Sequence, residues 1–116
     1  MWVKLHDRMP QDGDIDRLSD GAFRVYVAAL CWSSSEMSDG VVPVAMLHRL
    51  VPRWRPCYLP ELTEDHGHPD GPVFRRDGEN VTIRNFLKFN LARADLLERQ
   101  ARTTRRVAEW RSSRGM

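Results

Sequence analysis

The order of the elements predicted between residues 18 and 89 constrains the fold of this chain more than any other feature. After Ser19, a good helix N-cap, apolar residues recur at three-and-four spacing and predict a helix. That stripe consists of Ala22, Phe23, Tyr26, Val27, Leu30 and Cys31. We expect the helix to fade in residues 33–35, because serine hydroxyls compete for backbone hydrogen bonds. Asp39-Gly40 is a turn signal, and Val41-Val42-Pro43 predicts a short strand ended by proline.

Two short helices follow this strand. Residues 44–51 carry one apolar edge, made of Met46, Leu47, Leu50 and Val51, and Pro52 stops the helix. Arg53-Trp54-Arg55-Pro56 predicts a turn. The next helix occupies residues 57–65 and begins near Leu59, because Pro60 is tolerated only in a first helical turn.

A β-hairpin is predicted from residue 72 to residue 86. Residues 72–75 and 80–86 form its strands, and Arg76-Asp77-Gly78-Glu79 forms its turn, because Asp-Gly is a strong hairpin signal. Alternation places Val81, Ile83 and Asn85 on one face, and Thr82, Arg84 and Phe86 on the other. We predict a loop at residues 9–14 and a short strand or extended arm at residues 2–5.

Helix, strand, helix, helix and hairpin is the order in which a small winged helix-turn-helix is built, and such domains mostly bind double-stranded DNA. The predicted fold class is therefore α+β and mainly α: a winged helix-turn-helix with a β-hairpin wing and a long basic C-terminal helix over residues 91–111. Residues 1–90 form the predicted winged-helix domain, and residues 91–116 form a basic helix or tail.

Composition limits the location of the protein. A mean hydropathy of −0.53 and 29% charged residues exclude a membrane protein, and no apolar run approaches the roughly 20 residues of a spanning helix. The first residues do not resemble a secretion signal, and Cys31 and Cys57 are interpreted as reduced thiols. The expected location is the cytoplasm of a bacterial cell.

Charge is distributed unevenly along the chain. The overall net charge is +2, but residues 91–116 carry seven Arg against Asp95, Glu98 and Glu109, a net charge of +4. Such a split is typical of a basic tail that contacts phosphate. The alternative is a solvated helix with alternating charges.

Four segments together resemble one family. They are Trp2-Val3-Lys4-Leu5, Leu18-Ser19-Asp20-Gly21-Ala22-Phe23-Arg24, Asp39-Gly40-Val41-Val42-Pro43 and Ile83-Arg84-Asn85-Phe86-Leu87-Lys88-Phe89-Asn90. In their order and spacing they resemble the small helix-turn-helix proteins of actinobacterial phages, which are related to phage replication initiators and to the winged-helix domain of DnaD-like replisome organisers. The resemblance implies a winged helix, a phage or prophage origin, and a DNA-directed role in replication initiation or transcriptional regulation.

The residues predicted to bind DNA fall into three groups. Arg53, Arg55, Tyr58 and Thr63 lie at the turn and in the third helix, where a helix-turn-helix approaches phosphates and base edges. Arg75 and Arg76 are predicted at the hairpin tip, where arginine can enter the minor groove. Arg99, Arg102 and Arg106 share one side of the C-terminal helix and could follow a phosphate ridge. The alternatives are that Trp54 packs on the core, with both neighbouring arginines serving solubility, and that the hairpin end is an ordinary exposed turn.

Other functions were weighed against DNA binding. The acidic segment Glu61, Glu64 and Asp65 departs from a groove-reading helix and suggests a protein-interaction module that docks a host or phage protein. The C-terminal helix could instead pair with a second copy through Ala94, Leu97, Ala101, Thr104 and Ala108, cover the domain's own core, or dock a replication or host protein. No Cys-x-x-Cys or His-x-x-x-His spacing, phosphate loop or nucleophile motif is present. We therefore expect no metal, no cofactor and no enzymatic activity, although the Asp residues between Asp7 and Asp20 leave a small nuclease as a weaker hypothesis.

Overall fold

A computed structural model of the chain describes Val3, Leu5, Met9, residues 12–89 and residues 93–114. Among these residues there are six helices and three strands. In chain order they are α1 (Gly13–Asp16), α2 (Asp20–Glu36), β1 (Val41–Pro43), α3 (Val44–Leu50), α4 (Tyr58–Thr63), β2 (Phe74–Asp77), β3 (Asn80–Ile83), α5 (Phe86–Phe89) and α6 (Arg93–Arg114). The protein is α+β and mainly helical, which confirms this part of the predicted fold class.

The N-terminal segment differs from its prediction. Val3 and Leu5 lie in no helix or strand, and the rest of the expected arm, Trp2 and Lys4, falls outside the described residues. The predicted loop at residues 9–14 is wrong at its end, because the one-turn helix α1 begins at Gly13, and residues 10 and 11 fall outside the described residues. Asp12 caps this helix by accepting a hydrogen bond from the backbone N–H of Asp14 at 2.9 Å, which is the usual role of an aspartate at an N-cap.

Helix α2 begins as predicted but ends later. Ser19 is its N-cap, and the serine oxygen accepts a hydrogen bond from the backbone N–H of Ala22 at 3.3 Å. The expectation that the helix fades in residues 33–35 is wrong, because α2 continues to Glu36. It ends at Met37, whose φ of 53° is left-handed and turns its N–H back onto the carbonyls of Ser33 and Ser34. This is a common way to end a helix.

The buried face of α2 also differs from the predicted stripe. Phe23 and Tyr26 are half-buried at the edge of the core, and Cys31 is exposed. The fully buried positions are Ala22, Val25, Ala29, Leu30 and Ser33. Helix α2 packs on α3, α4 and β1 together, so its neighbours select a face that includes small residues as well as large ones.

Ser33 joins the end of α2 to the start of the sheet. Its fully buried hydroxyl accepts a hydrogen bond from the backbone N–H of Gly40 at 2.8 Å and lies 2.7 Å from the hydroxyl of Ser38. Gly40 has a φ of +87°, and a Cβ at this position would lie 2.7 Å from the Cβ of Phe86. The turn therefore requires glycine both for its backbone angle and for its close packing.

The three strands form one antiparallel sheet in the order β1-β3-β2. Val42 pairs with Val81, and Phe74 pairs with Ile83. All four side chains are buried. Because paired residues lie on the same face of a sheet, these four form the inner face, which joins the buried residues of the helices.

The hairpin is confirmed, with two corrections. Strand β2 runs over Phe74–Asp77 rather than over residues 72–75. The connecting loop is the pair Gly78 and Glu79, and Gly78 has the positive φ of +60° that a tight hairpin turn requires. Strand β3 ends at Ile83 rather than at residue 86. Asn85 has a φ of 60° and turns the chain into α5, which begins at the buried Phe86.

Helices α3 and α4 match their predictions closely. Leu47 and Val51 are buried along the predicted edge of α3, and Leu62 is fully buried on α4. Pro60 is the third residue of α4 and thus lies within its first turn. No described helix combines the length and apolar content needed to cross a membrane.

Candidate nucleic-acid interface

The turn between α3 and α4 presents two arginines to solvent. Arg53 and Arg55 are both exposed. No carboxylate in the described part of the chain lies within ion-pair distance of either guanidinium. Both charges are therefore available to an external anion.

Trp54 lies between these arginines and packs on the protein. Its ring stacks on that of His48 with centroids 4.4 Å apart and an interplanar angle of 21°, and meets the ring of Tyr58 edge-on at 5.8 Å and 87°. The half-buried indole also contacts the core. Aromatic contacts of this kind stabilise the turn, so Trp54 packs inward as the alternative reading held, while its two neighbours remain exposed.

The other two predicted residues of this group make contacts within the protein. Tyr58 is half-buried, and its phenol lies against the backbone of Gly21, where a Cβ would collide with the hydroxyl. The hydroxyl of Thr63 donates a hydrogen bond to the carbonyl of Leu59 at 2.8 Å. Thr63 thus retains only an accepting oxygen and a methyl group for an external ligand.

The acidic residues near α4 have structural roles. Glu61 accepts hydrogen bonds from the backbone N–H of Ser19 at 3.1 Å and from its hydroxyl at 2.9 Å, and so fastens α4 to the start of α2. Asp65 accepts from the N–H of Gly67 at 2.8 Å. Glu64 lies 3.6 Å from the imidazole of His66. Glu61 is the only acidic residue within α4 itself, and Glu64 and Asp65 follow the end of that helix.

A cleft of about 530 Å³ lies beside the turn. Arg24 of α2 and Arg53 both line it, together with Asp20, Gly21, Val51, Pro52 and Tyr58. The sequence analysis did not identify Arg24 as a site residue, because this lone cation within an apolar helical stripe gives no signal of its own. The fold brings it to the same cleft as Arg53.

The prediction that Arg75 and Arg76 lie at the hairpin tip is wrong. Both residues lie within strand β2. The tip is the two-residue loop of Gly78 and Glu79, which lies beyond both arginines. Side chains alternate along a strand, so the two guanidiniums leave opposite faces of the hairpin. Arg76 donates from Nε to the carbonyl of Gly78 at 3.1 Å, while a guanidinium nitrogen of Arg75 lies 2.7 Å from where a Cβ of Gly71 would be. Neither is paired with a carboxylate of a described residue.

The three arginines of α6 that are predicted to bind DNA are exposed. Arg99, Arg102 and Arg106 all reach solvent, and Arg102 lies 3.4 Å from Glu98 one turn earlier. An exposed ion pair of this type contributes little to stability. It does, however, offset part of the positive charge on this side of the helix.

The side chain of Arg84, which directly follows the end of β3, is nearly buried and bound internally. Its guanidinium donates to Oδ2 of Asp14 at 2.7 Å, to Oδ2 of Asp12 at 3.1 Å and to the carbonyl of Gly71 at 3.0 Å. The hydrogen bond from Arg84 is the main cause that holds the pKa of Asp14 below its ordinary value of 3.8, against the opposing effect of burial. Two carboxylates of the acidic N-terminal run therefore bind an arginine.

Potential metal ligands do not converge. Among the described residues, no three Asp, Glu, His or Cys side chains are placed to hold a metal ion together.

Comparison of the chain with protein-family models, curated proteins and solved structures finds no match. Any function must therefore be argued from the arrangement of these side chains.

Proposed function

We propose that the protein binds double-stranded DNA without catalysis, as a winged helix-turn-helix in which α2, α3 and α4 form the helical part and β2 and β3 form the wing. The element order and the three-stranded antiparallel sheet are compatible with this class. The resemblance to actinobacterial-phage proteins extends the proposal to replication initiation or transcriptional regulation in a bacterial host cell.

The observation that carries the proposal is the exposed pair Arg53 and Arg55 on a turn held by the stacked Trp54. A guanidinium can bind phosphate or guanine in a bidentate manner. Because the contacts of Trp54 order the turn before binding, less backbone entropy is lost when the two arginines bind an anion. Arg24, which shares the cleft with Arg53, adds a third cation to the same surface.

Thr63 and Tyr58 have narrower roles in this proposal. The Thr63 hydroxyl proton is donated to Leu59, so we assign this side chain to base contact through its methyl group or its accepting oxygen rather than to phosphate. Tyr58 packs edge-on against Trp54 and so helps to hold the turn that carries the two arginines.

The wing and α6 supply affinity without sequence information. Arg76 is nearer the hairpin tip than Arg75 and keeps its terminal nitrogens for the minor groove, since only Nε is bonded to Gly78. We therefore expect Arg76 to contribute more than Arg75. Arg99, Arg102 and Arg106 would contact phosphates along the backbone, which position a protein but do not specify sequence.

The test is a titration of labelled mixed-sequence duplex DNA with the protein. Binding is measured by fluorescence anisotropy at several salt concentrations. We expect binding that weakens steeply with salt. If Arg53 and Arg55 each neutralise one phosphate, replacing both with Ala should make the slope of log affinity against log salt shallower by about 1.8.

The matched control is Arg17→Ala, which removes an exposed arginine at the end of α1, outside the proposed interface. It should leave the slope close to that of the unaltered protein. Absence of binding at low salt, or an equal effect of Arg17→Ala and of each arginine in the turn, would refute the proposed interface.

A further inference from the structure

Helix α6 is exposed over nearly all of its surface. Its 22 residues run from Arg93 to Arg114, and no other helix or strand in the described part of the chain packs extensively on it. Leu97, Val107 and Trp110 are 46%, 41% and 57% exposed. Large apolar side chains at this level of exposure on one helix indicate a contact surface rather than a solvated spacer.

Val107 and Trp110 lie on a face of the helix different from the stripe predicted from the sequence, to which Leu97 belongs. A seam at 4-3-4-3 spacing runs along the helix, and residues at this spacing share one side of an α-helix. The seam consists of Leu96, Gln100, Thr103, Val107 and Trp110. Its first half forms an open groove of about 490 Å³ lined by Leu96, Gln100 and Thr103, with Arg99 and Thr104 at the edges.

Positive charge borders this seam on both sides. By helical spacing, Arg99 and Arg106 lie along one edge and Arg111 lies along the other. The acidic residues of α6, Asp95, Glu98 and Glu109, lie farther round the helix. The surface is thus a strip with Leu96 at one end, Val107 and Trp110 at the other and the polar Gln100 and Thr103 between them, bordered by arginines.

A second copy of α6 does not complement this surface. In an antiparallel pair, Arg99 of one helix would face Arg106 of the other, and in a parallel pair Arg106 would face Arg111. Like charges at these flanking positions oppose pairing. A DNA backbone would bind the arginines but would leave Leu96 and Val107 in water.

We propose that α6 docks an acidic amphipathic helix of another protein, with apolar side chains on the seam and carboxylates against Arg99, Arg106 and Arg111. Helix-on-helix recognition of this kind uses apolar anchors for affinity and flanking charges for the choice of partner. The inference goes beyond DNA binding and does not depend on it, because the seam residues have no part in the proposed DNA interface. A bound partner would compete with DNA for Arg99 and Arg106.

The test uses the full chain and two synthetic peptides of three heptads. Both peptides have Leu at the 4-3 spaced positions that would pack on the seam of α6. The positions beside these leucines are all Glu in one peptide and all Lys in the other. We expect the acidic peptide to bind in fluorescence anisotropy at least tenfold more tightly than the basic one. Val107→Asp should weaken this binding at least tenfold, whereas Ala94→Asp, on the far side of α6, should leave it unchanged.

Charge reversal separates docking from a loss of helix. With Arg99→Glu and Arg106→Glu together, the preference should switch to the basic peptide, which an unfolded α6 cannot produce. Equal binding of both peptides, or binding of neither, would overturn the proposal. So would self-association in sedimentation that Val107→Asp abolishes, or binding to phosphatidylglycerol vesicles in place of the acidic peptide.

Discussion

Arg84 and Asp14 form a nearly buried ion pair that closes the N-terminal segment onto the base of the hairpin. Nη1 of Arg84 lies 2.7 Å from Oδ2 of Asp14, and the two side chains are only 6% and 11% exposed. The same guanidinium also binds Asp12 and the carbonyl of Gly71. One side chain after the end of β3 thereby holds α1 and the loop that precedes β2.

Removal of this arginine should destabilise the fold strongly. Arg84→Met keeps an unbranched apolar stem in place of the arginine methylenes but leaves Asp14 charged and largely buried without its partner, which costs about 3 kcal/mol. Urea unfolding followed by circular dichroism measures the change. Arg76→Met, which removes an exposed arginine from the same hairpin, is the matched control and should change the free energy of unfolding by less than about 0.5 kcal/mol. Equal effects of the two changes would contradict a structural role for the pair.

The same pair predicts a loss of stability in acid. The pKa of Asp14 is lower in the folded chain than its ordinary value of 3.8, so the unfolded chain binds the proton more readily. The contribution of ionised Asp14 to the free energy of unfolding is therefore fully present above pH 3.8. It is lost as the pH falls below that value through the lower pKa of the folded chain. Free energies of unfolding measured from pH 6 to pH 2 should fall less steeply for Asp14→Asn than for the unaltered protein. Parallel curves would show that other groups cause the acid sensitivity.

Ser33 offers a second buried polar test. Ser33→Ala should destabilise the protein by about 2 kcal/mol, because it leaves the N–H of the buried Gly40 without its acceptor. Thermal unfolding compares it with Ser35→Ala, two residues along the same helix at an exposed position. The Ser35 change should be neutral or slightly stabilising, since alanine favours helix. A neutral Ser33→Ala would mean that Gly40 finds another acceptor.

Local signals account for the parts of the fold that could be predicted. The Ser19 cap, the Asp39-Gly40 turn, the position of Pro60 and the hairpin are each determined by a few neighbouring residues, and all four agree with the structure. The end of α2 was misplaced because the three serines were treated alike. Only the fold shows that Ser33 is buried and bonded to Gly40.

Contacts between distant segments could not be predicted in the same way. Arg84 lies about 70 residues from Asp12 and Asp14 along the chain, so alternation placed it on a strand face without naming its partners. Glu61 was likewise interpreted from the sequence as a surface charge of a recognition helix, although its carboxylate accepts a hydrogen bond from the hydroxyl of Ser19. For the candidate interface, the sequence identified Arg53 and Arg55 through the turn between two helices. It missed Arg24, which only the packing of α2 brings to the cleft.

The contact between Gly21 and Tyr58 gives a prediction of opposite sign in two backgrounds. In a helix, Gly→Ala normally stabilises by about 1 kcal/mol. At residue 21 the added Cβ would collide with the Tyr58 ring, so Gly21→Ala alone should destabilise the protein by about 1–3 kcal/mol. In the background of Tyr58→Ala the collision is absent, and the same change should stabilise.

Gly13→Ala, where a Cβ meets nothing within 4 Å, serves as the control, and its effect on stability should not depend on Tyr58. The coupling is measured from urea unfolding of the four proteins of the cycle. If Gly21→Ala stabilised the protein in both backgrounds, the phenol would not rest on α2, and the packing of α4 on α2 would have to be revised.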